Sequence, residues 1–595
     1  MPGIVVAAGR RAADALAALT RDGYTRQTFV PDRTPNGLIA GAAAYATYPF
    51  AVAKAAGCTA VLEGAAYGEQ PADVERMLDV LARAFADDVG AARAQAETWA
   101  AKTDGDFVLL VVKDDGASAL VVNDRLGRLP LYIASRAGDA AIAREIKCVR
   151  AACGVGDIDR HALAQMLLFT FPLGFRTLHT HISRLPEASS AFIDCDGGID
   201  VRQYYRWDFE ALHGGGVAPN APELAERFAD RTAAIVDWGR GRNIVLGLSG
   251  GLDSRAVAAA LTRAKVPYAS VTFTSRRKKA AEETDTSKQI ASTLGIPWEA
   301  LVLAPPTWED ERAMAAMRDG TSNVALSFLA QYFRHLEQRF GPSALHFTGD
   351  GGDRALPDLL AEVPIADRER FLEYRLSNAL WSVAEAASLV CLSRDEVVDA
   401  IRSHFASYPE RDASFHNARF MISDWAMNRL FCGEDRNRSF LWNSTPFYAQ
   451  SFFEAAMRAP LRRKRHYALY ADFLRALDPR VVGIAKSNWG HAVDSPLVKL
   501  TAWRDSIGSR FALAAKRGIG SRSDGAHGEY GTAARNPEFA ELARRFDGPG
   551  FDRERLARIA RRGLDKLQYN MLATALLYVD GVWSQPQDLS AARPV

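Results

Sequence analysis

The stretch that decides the fold is "IVLGLSGGLDSRAVAAALTRA", residues 244–264. It begins as an apolar strand, passes through the turn "SGGLDS" (249–254) and continues as a helical pattern. A turn from a strand into a helix directs backbone N–H groups and the positive end of the helix dipole toward the edge of the sheet. The stretch therefore predicts an anion site, where Gly250 and Gly251 let the backbone approach phosphate oxygens closely.

Asp253 is the unusual residue in this turn, because a carboxylate beside phosphates would repel them. A divalent cation between the two removes the repulsion, since Mg²⁺ is commonly held by one or two carboxylates together with phosphate oxygens. The hydroxyls of Ser249 and Ser254 can add further donors. The chain contains no G-K-[ST] sequence, so this turn is not a Walker-type loop.

Strands and helices alternate through the part of the chain that follows residue 220. The pattern predicts helices over 221–239, 254–265, 281–295 and 324–340, and strands over 243–248, 268–273, 299–303 and 344–348. This alternation is typical of a parallel sheet with covering helices. From about residue 354 to the end the periodicity is mostly helical and the sequence is rich in aromatic residues.

The first two hundred or so residues follow a different pattern, in which short apolar runs are separated by turns of the Asp-Asp-Gly or Asp-Gly-Gly type. Such runs predict β-hairpins. A helical stretch at 70–99 interrupts them, so this half is predicted to be an α/β sandwich. The glycines and prolines of 213–223 indicate a linker, and we predict two domains, 1–212 and 213–595.

Composition excludes several classes of protein. A net charge of +2 over 595 residues argues against a nucleic-acid binder that works through bulk positive charge. The six scattered cysteines, with no C-x-x-C pair, favour a reducing compartment. Because we find no signal peptide or membrane span, we expect a cytoplasmic protein without a membrane partner. Two basic runs, 275–279 and 461–466, are interpreted as solvated faces.

The turn at 249–254 resembles the pyrophosphate loop of the ATP pyrophosphatases, and the chain as a whole resembles the asparagine synthetase family. "HFTGDGGDRA" (346–355) is similar to the family's second acidic turn, and "VVGIAKSNWG" (481–490) to its lysine segment. The resemblance implies ATP and Mg²⁺ as cofactors. It makes Asp253 and Asp353 the metal carboxylates, with Lys486 neutralising the acyl-adenylate and the departing pyrophosphate. The nucleotide contacts that it implies are Leu248, Ser249, Gly250, Gly251, Asp253, Ser254, Thr272, Gly349 and Asp350.

The first half resembles the family's glutaminase-type domain through "NDRLGRLPLYIA" (123–134) and "TLHTHISRLPEAS" (177–189). That domain is an Ntn-hydrolase-like αββα sandwich. A working glutaminase of the family begins Met-Cys-Gly-Ile, and its cysteine is the nucleophile. This chain begins Met1-Pro2-Gly3-Ile4, and because proline has no thiol we expect the first domain to be inactive.

The amine must then come from elsewhere, and three kinds of relative supply it differently. Asp350 stands where β-lactam synthetases have a tyrosine, and "WNS" (442–444) replaces the Glu-Ala-Arg of asparagine synthetases. We interpret this as a rebuilt substrate pocket, enlarged by the aromatic segment 354–450. The combination favours a lasso peptide cyclase. An ammonia-dependent asparagine synthetase, a β-lactam synthetase or a non-enzymatic scaffold remains an alternative.

Such a cyclase activates an Asp or Glu side chain of a precursor peptide as an acyl-adenylate. The peptide's N-terminal amine then closes a macrolactam, releasing AMP. The resemblance implies a precursor peptide as substrate. It also implies a leader peptidase and a leader-peptide-binding protein as partners.

Overall fold

The computed structural model describes residues 1–19, 21–30, 37–214, 218–274, 278–487, 489–498, 500, 536–562 and 564–584. Its first half contains two six-stranded antiparallel sheets. The first sheet has the order β10-β8-β9-β1-β3-β2, with β1 Gly3–Ala8, β2 Thr25–Val30, β3 Ile39–Ala44, β8 Tyr132–Arg136, β9 Asp139–Ala143 and β10 Ser183–Arg184. The second has the order β12-β11-β7-β6-β5-β4, with β4 Phe50–Ala55, β5 Cys58–Ala66, β6 Gly105–Lys113, β7 Ser118–Asn123, β11 Ser189–Asp194 and β12 Ile199–Gln203.

Alternation along β1 shows how the two sheets are stacked. Ile4 and Val6 lie in the core between the sheets, while Val5 and Ala7 pack on the opposite face, beneath α1 Ala12–Ala18 and α4 Ile146–Cys153. The second sheet is covered in the same way by α2 Pro71–Asp87 and α3 Val89–Ala100. The predicted αββα sandwich is therefore confirmed.

The second half is built on a five-stranded parallel sheet of order β15-β14-β13-β16-β17. Its strands are β13 Ile244–Gly247, β14 Ala269–Thr274, β15 Trp298–Val302, β16 Leu345–Phe347 and β17 Trp442–Ser444. The chain winds to one side of β13 through β14 and β15, and then returns to add β16 and β17 on the other side. Ligands bind at such reversals in open α/β sheets, at the carboxyl ends of the strands.

The helices of this sheet agree with the sequence pattern, except between residues 303 and 340. They are α7 Ala221–Trp238, α8 Leu252–Arg263, α9 Lys278–Leu294, α10 Trp308–Met317 and α11 Leu329–Phe340. The pattern did not predict α10, and the prediction of one helix over 324–340 was wrong at its start. There a short 3₁₀ helix, Val324–Leu326, precedes α11. Asn323 caps that 3₁₀ helix through its side chain, which separates the two elements.

Most of the remaining described elements are helices, and those after about residue 354 agree with the helical prediction. Its helices are α5 Arg160–Phe169, α6 Phe209–Gly214, α12 Gly352–Ala355, α13 Arg368–Ser377, α14 Val383–Leu389, α15 Arg394–Ala406, α16 His416–Arg419, α17 Phe431–Asn437, α18 Gln450–Arg458, α19 Leu461–Lys464, α20 Ala468–Leu477, α21 Pro479–Val482, α22 Pro537–Arg545, α23 Arg553–Arg562 and α24 Lys566–Ser584. A π-helical stretch, Phe420–Leu430, connects α16 to α17.

One hydrophobic core runs through both halves, from β1 in the first half to β13 and α20 in the second. Within the predicted linker, 215–217 lie outside the described residues, and the boundary at 212/213 stays a prediction. No helix in the described part of the chain is both long and apolar enough to cross a bilayer.

The basic run 461–466 is only partly a solvated face. Lys464 is buried and donates a 2.9 Å hydrogen bond to the Ala355 carbonyl, so the interpretation was wrong at that position. Of the other basic run, 275–277 lie outside the described residues.

Candidate functional site

Two loops meet where the sheet reverses direction, one after β13 and the other after its neighbour β16. The first loop, 248–251, leads into α8, whose N-cap, Gly251, has no side-chain cap. The second loop, 348–351, leads into α12. Because β13 and β16 are adjacent and parallel, their carboxyl ends bring the two loops together at one edge of the sheet. The predicted juxtaposition is present in the structure.

The first loop is braced from within by its own serines. Ser249 donates its backbone N–H to the Ser254 hydroxyl at 3.0 Å, and the two hydroxyl oxygens are also 3.0 Å apart. Gly251 in turn donates its N–H to the Ser249 hydroxyl at 3.2 Å. The Ser254 side chain is buried in this arrangement, so its observed contacts shape the turn.

Thr272 supports the same loop from the buried side. Its hydroxyl donates to the Leu248 carbonyl at 2.6 Å and accepts from the Trp298 indole N–H at 2.9 Å. The Thr272 side chain is buried. The nucleotide contact that the resemblance implies at Thr272 stays a prediction, and the hydroxyl itself is engaged within the protein.

Glycine is required in the second loop because that loop packs directly onto the first. A Cβ atom at Gly349 would lie 2.4 Å from the Ser254 backbone nitrogen, and one at Gly352 would lie 2.6 Å from the Asp253 carboxyl carbon. Gly250 is confined in the same way, since a Cβ there would lie 2.8 Å from the Ser487 Oγ. Three separate segments therefore meet at the first loop within van der Waals distance.

Asp253 and Asp353 converge at this junction. Burial, followed by the charge of Asp353, raises the pKa of the Asp253 carboxyl to about 7. Asp353 is half exposed and its carboxylate lies 2.8 Å from the Arg354 guanidinium. Two neighbouring carboxylates that repel one another form a donor set that fits Mg²⁺, which takes oxygen ligands and is usually completed by phosphate oxygens.

Tyr470 holds Asp253 in place. Its hydroxyl donates a 2.5 Å hydrogen bond to the Asp253 Oδ1, and the residue is carried by α20. This contact spans 217 residues of sequence. We did not predict Tyr470 as a site residue, since no local pattern marks it.

Lys486 lies on the other side of the first loop. Its ammonium is 4.0 Å from the centre of the Trp489 ring. Burial lowers its pKa, and the charges of Asp253 and Asp353 oppose that shift. The structure thus brings together the three residues that were predicted to be catalytic.

Arg255, which no local sequence pattern marks, positions the segment that carries Lys486. It is fully buried in α8 and donates to the carbonyls of Val481 at 3.1 Å, Ile484 at 2.7 Å and Ala485 at 3.3 Å. Burial lowers its pKa to about 10. An arginine four residues into the helix therefore fixes the chain just before Lys486, a role that only the tertiary structure reveals.

Asp350 faces a different group of charges. Burial raises the pKa of its carboxyl. Burial also raises the pKa of nearby Glu434 to about 7, with Arg128 opposing the shift and Asp350 adding to it. Arg436, whose pKa burial lowers to about 10, interacts favourably with Asp350. We call the region between loops 248–251 and 348–351 the cleft. Asp350 belongs to a buried group of charged residues beside it, together with residues of α17.

The segment 442–444 does not line this cleft, which corrects the interpretation of a rebuilt pocket. Trp442, Asn443 and Ser444 form β17 and are buried. The hydroxyl of Tyr67 donates to the Ser444 Oγ at 2.9 Å and accepts from the Trp442 indole N–H at 3.1 Å. These departures from asparagine synthetases thus alter the contact between the two halves. Most aromatic residues of 354–450 are likewise ordinary core.

Sequence comparison agrees with this arrangement. Residues 241–478, which contain both loops, match the asparagine synthase family, and residues 89–205 match the glutamine amidotransferase domain. The second half of the chain is thus similar to the asparagine synthase family, and part of the first half to a glutamine amidotransferase domain. A curated member, asparagine synthetase [glutamine-hydrolyzing] 1 of Bacillus subtilis (strain 168), is 25% identical over 217 residues. That match covers 36% of this chain and spans about a third of the relative's length, 33%.

Two solved structures share a weaker likeness with this chain. One is the glutamine phosphoribosylpyrophosphate amidotransferase of B. subtilis, with a TM-score of 0.24 and 11% identity, covering 52% of this chain and 67% of that one. The other, described as the allosteric regulatory enzyme of purine biosynthesis, has a TM-score of 0.24 and 11% identity, covering 51% and 81%.

Proposed function

We propose that the protein is an ATP-dependent amide ligase that activates a carboxylate as an acyl-adenylate and transfers the acyl group to an amine. The observation that carries the proposal is the convergence of Asp253, Asp353 and Lys486 beside the N-terminus of α8. A helix N-terminus and a cation suit phosphates. The paired carboxylates suit Mg²⁺, which would neutralise charge on the phosphates.

The first reaction forms one P–O bond and breaks another. A carboxylate oxygen of the acyl substrate attacks the α-phosphorus of ATP, and the bond from that phosphorus to the bridging oxygen of pyrophosphate breaks. The N-terminus of α8 and the Lys486 ammonium stabilise the growing negative charge, an effect that is strong in a partly desolvated site. Arg255 keeps Lys486 within reach by holding residues 481–485.

In the second reaction an amine nitrogen attacks the acyl carbon, the bond to AMP breaks, and the amine loses a proton. A site that holds the amine and the acyl carbon about 3 Å apart makes this step effectively unimolecular, which contributes up to roughly 7–11 kcal/mol. The protein's main contribution to this step is therefore the positioning of its substrates.

We further propose that the amine belongs to a peptide, as in lasso peptide cyclases, and that glutamine is not its source. Pro2 supplies no thiol before Gly3. The space beside Gly3 is filled by Arg144, because a Cβ at Gly3 would lie 2.3 Å from the Arg144 Cγ. Arg144 is buried and forms ion pairs with Glu63 and with Asp435 of the second half. This packing supports a first half that serves as a scaffold.

The test is to incubate the protein with ATP, Mg²⁺ and the precursor peptide encoded beside its gene, and to record the peptide mass. A cyclase yields a product lighter by one water together with AMP and pyrophosphate. Asp353→Asn should abolish both, whereas the exposed Asp230→Asn should not. An unchanged peptide mass would contradict the peptide assignment.

The second candidate is an asparagine synthetase that uses free ammonia. The similarity to the Bacillus asparagine synthetase favours asparagine as the product, and ammonia takes the place of glutamine because Pro2 supplies no thiol. Aspartate and ammonium in place of the peptide distinguish the two. Asparagine formed with AMP would establish this candidate and remove the cyclase.

A further inference from the structure

Two arginines lie against one tryptophan at the edge of the cleft. The Arg354 guanidinium is 4.1 Å from the centre of the Trp425 ring, and the Arg429 guanidinium is 5.6 Å from it. Arg354 directly follows Asp353 in the chain, whereas Trp425 and Arg429 come from the π-helical stretch. Long π-helical segments are rare and are frequently found at functional sites.

Asp353 is the one carboxylate within ion-pair distance of these two cations among the described residues. Among the described residues, Arg429 makes its hydrogen bond to a hydroxyl, that of Thr170 at 2.8 Å, and no carboxylate lies within ion-pair distance. The carboxylate that Arg354 contacts, Asp353, is the half-exposed residue assigned to the metal. The Arg354 Nε is buried without a hydrogen-bond partner among the described residues. Two neighbouring, partly buried guanidinium groups of this kind favour the binding of an anion.

The π-helical stretch is held rigidly, so the arginine pair is positioned before any ligand binds. Asp424, the residue before Trp425, is buried and accepts from the Gly174 N–H at 2.8 Å and from the His404 Nε2 at 2.9 Å. The Tyr408 hydroxyl also donates to Asp424. Preorganisation of this kind lowers the entropy lost on binding.

We propose that Arg354 and Arg429, arranged around Trp425, bind the carboxylate of the acyl substrate before it reacts. This proposal deepens the proposed function and rests on it, because it assigns the substrate's charged group to a place in the same cleft. Arginine suits that role since its planar fork binds a carboxylate through two parallel hydrogen bonds. A carboxylate and the departing pyrophosphate are both oxyanions, so pyrophosphate is the competing ligand for this arginine pair.

The distribution of charge favours the carboxylate. The charged groups that shift the pKa of Lys486 are Asp253, Asp353 and Arg255. The charged group that shifts the pKa of Arg429 is Arg354. Asp353 contacts Arg354 at 2.8 Å in the second loop, so the cations form two groups, one at the first loop and one around Trp425. The first, at the first loop and the α8 N-terminus, has the features of a phosphate site, which leaves the second for the acyl substrate.

Calorimetric titration of the full chain tests this without turnover. The protein is saturated with Mg²⁺ and α,β-methylene ATP and titrated with N-acetyl-L-aspartate N-methylamide, whose side-chain carboxylate is its only charge. The corresponding asparagine amide is the neutral control. Inorganic pyrophosphate is titrated separately into the Mg²⁺ form. The variants are Arg429→Gln and Arg354→Gln, with the exposed Arg76→Gln as the matched control.

We expect the blocked aspartate to bind and its asparagine analogue not to bind. Each cleft variant should weaken that binding about tenfold or more, because a charge-assisted hydrogen bond is lost. Arg76→Gln should leave it unchanged, and no variant should alter the affinity for the nucleotide analogue more than about twofold. Two separate variants keep the test valid if one of them fails to fold.

Three results would overturn the proposal. In the first, the wild type does not bind the blocked aspartate. In the second, the cleft variants bind it as tightly as the control variant does. In the third, the cleft variants lose pyrophosphate binding but still bind the blocked aspartate. The last result would assign the arginine pair to pyrophosphate. None of these measurements involves peptide cyclisation, so failure here is distinct from failure of the proposed function.

Discussion

Gly352→Ala tests whether the two loops must touch for adenylation. The added Cβ would lie 2.6 Å from the Asp253 carboxyl carbon and 2.8 Å from its Cβ. Asp253 has little freedom to move away, because its Oδ1 accepts a 2.5 Å hydrogen bond from Tyr470. The substitution should therefore separate the loops or displace this carboxylate.

The size of the effect follows from that overlap. Ordinary carbon contacts lie at about 3.5–4.0 Å, so the two groups must separate by roughly 1 Å. Overpacking of this kind typically costs about 1–3 kcal/mol of unfolding free energy. A displacement of about 1 Å at a reacting site can lower the rate by about a hundredfold. We expect a modest loss of stability and a much larger loss of activity.

The assay is ATP–pyrophosphate exchange in the presence of the acyl substrate, with thermal unfolding measured in parallel. Gly483→Ala is the matched control, because nothing lies within 4 Å of a Cβ at that position. It should keep exchange within about twofold of wild type, a difference below 0.5 kcal/mol. Full exchange activity in Gly352→Ala would refute the idea that the contact between loops places Asp253.

Three further predictions concern the same cleft. Because burial raises the pKa of Asp253 to about 7, the folded protein keeps a proton that the unfolded chain loses near pH 4. The free energy of unfolding of the ligand-free protein should therefore fall between about pH 4 and pH 7. Urea titrations at pH 5 and 8 should show a smaller fall for Asp253→Asn, whereas Asp230→Asn should behave as the wild type does. Arg255→Met should destabilise the protein by about 3 kcal/mol and reduce ATP–pyrophosphate exchange, because it releases the segment before Lys486. Normal exchange would count against a role of Arg255 in positioning Lys486. Tyr470→Phe should raise the Mg²⁺ concentration needed for half-maximal exchange, and an unchanged requirement would show that Asp253 holds its position without the phenol.

Local patterns predicted much of this architecture. The alternation of apolar runs and helical periodicity after residue 220 predicted the parallel sheet, because each such element is encoded within a short window. The pairing of Asp253 with Asp353 was implied by the family resemblance, and the adjacency of the two parallel strands that precede them accounts for it. The strand at 442–444 was missed because it has only three residues and is buried on both faces.

The residues that support the site are not predictable in this way. Tyr470 reaches Asp253 across 217 residues, and Arg255 reaches Val481 across 226. Neither contact leaves a local signal, since each depends on how distant helices pack. The position of the π-helical stretch is equally hard to predict, because Asp424 accepts a hydrogen bond from Gly174, which is 250 residues away in the sequence. The error at 442–444 arose from treating altered residues as ligand contacts when they fill the core.

Because the hydrophobic core is continuous between the two halves, the second half depends on the first for its folding. A segment whose side chains have become the interior of its neighbour cannot be discarded when its own chemistry is no longer needed, since deletion would expose the neighbour's apolar face to water. Tyr67 illustrates the dependence, as it bonds directly to Ser444 in the sheet of the other half. Selection for a folded second half is then sufficient to preserve the first half, and a gene shortened to encode residues 213–595 should produce an aggregating protein.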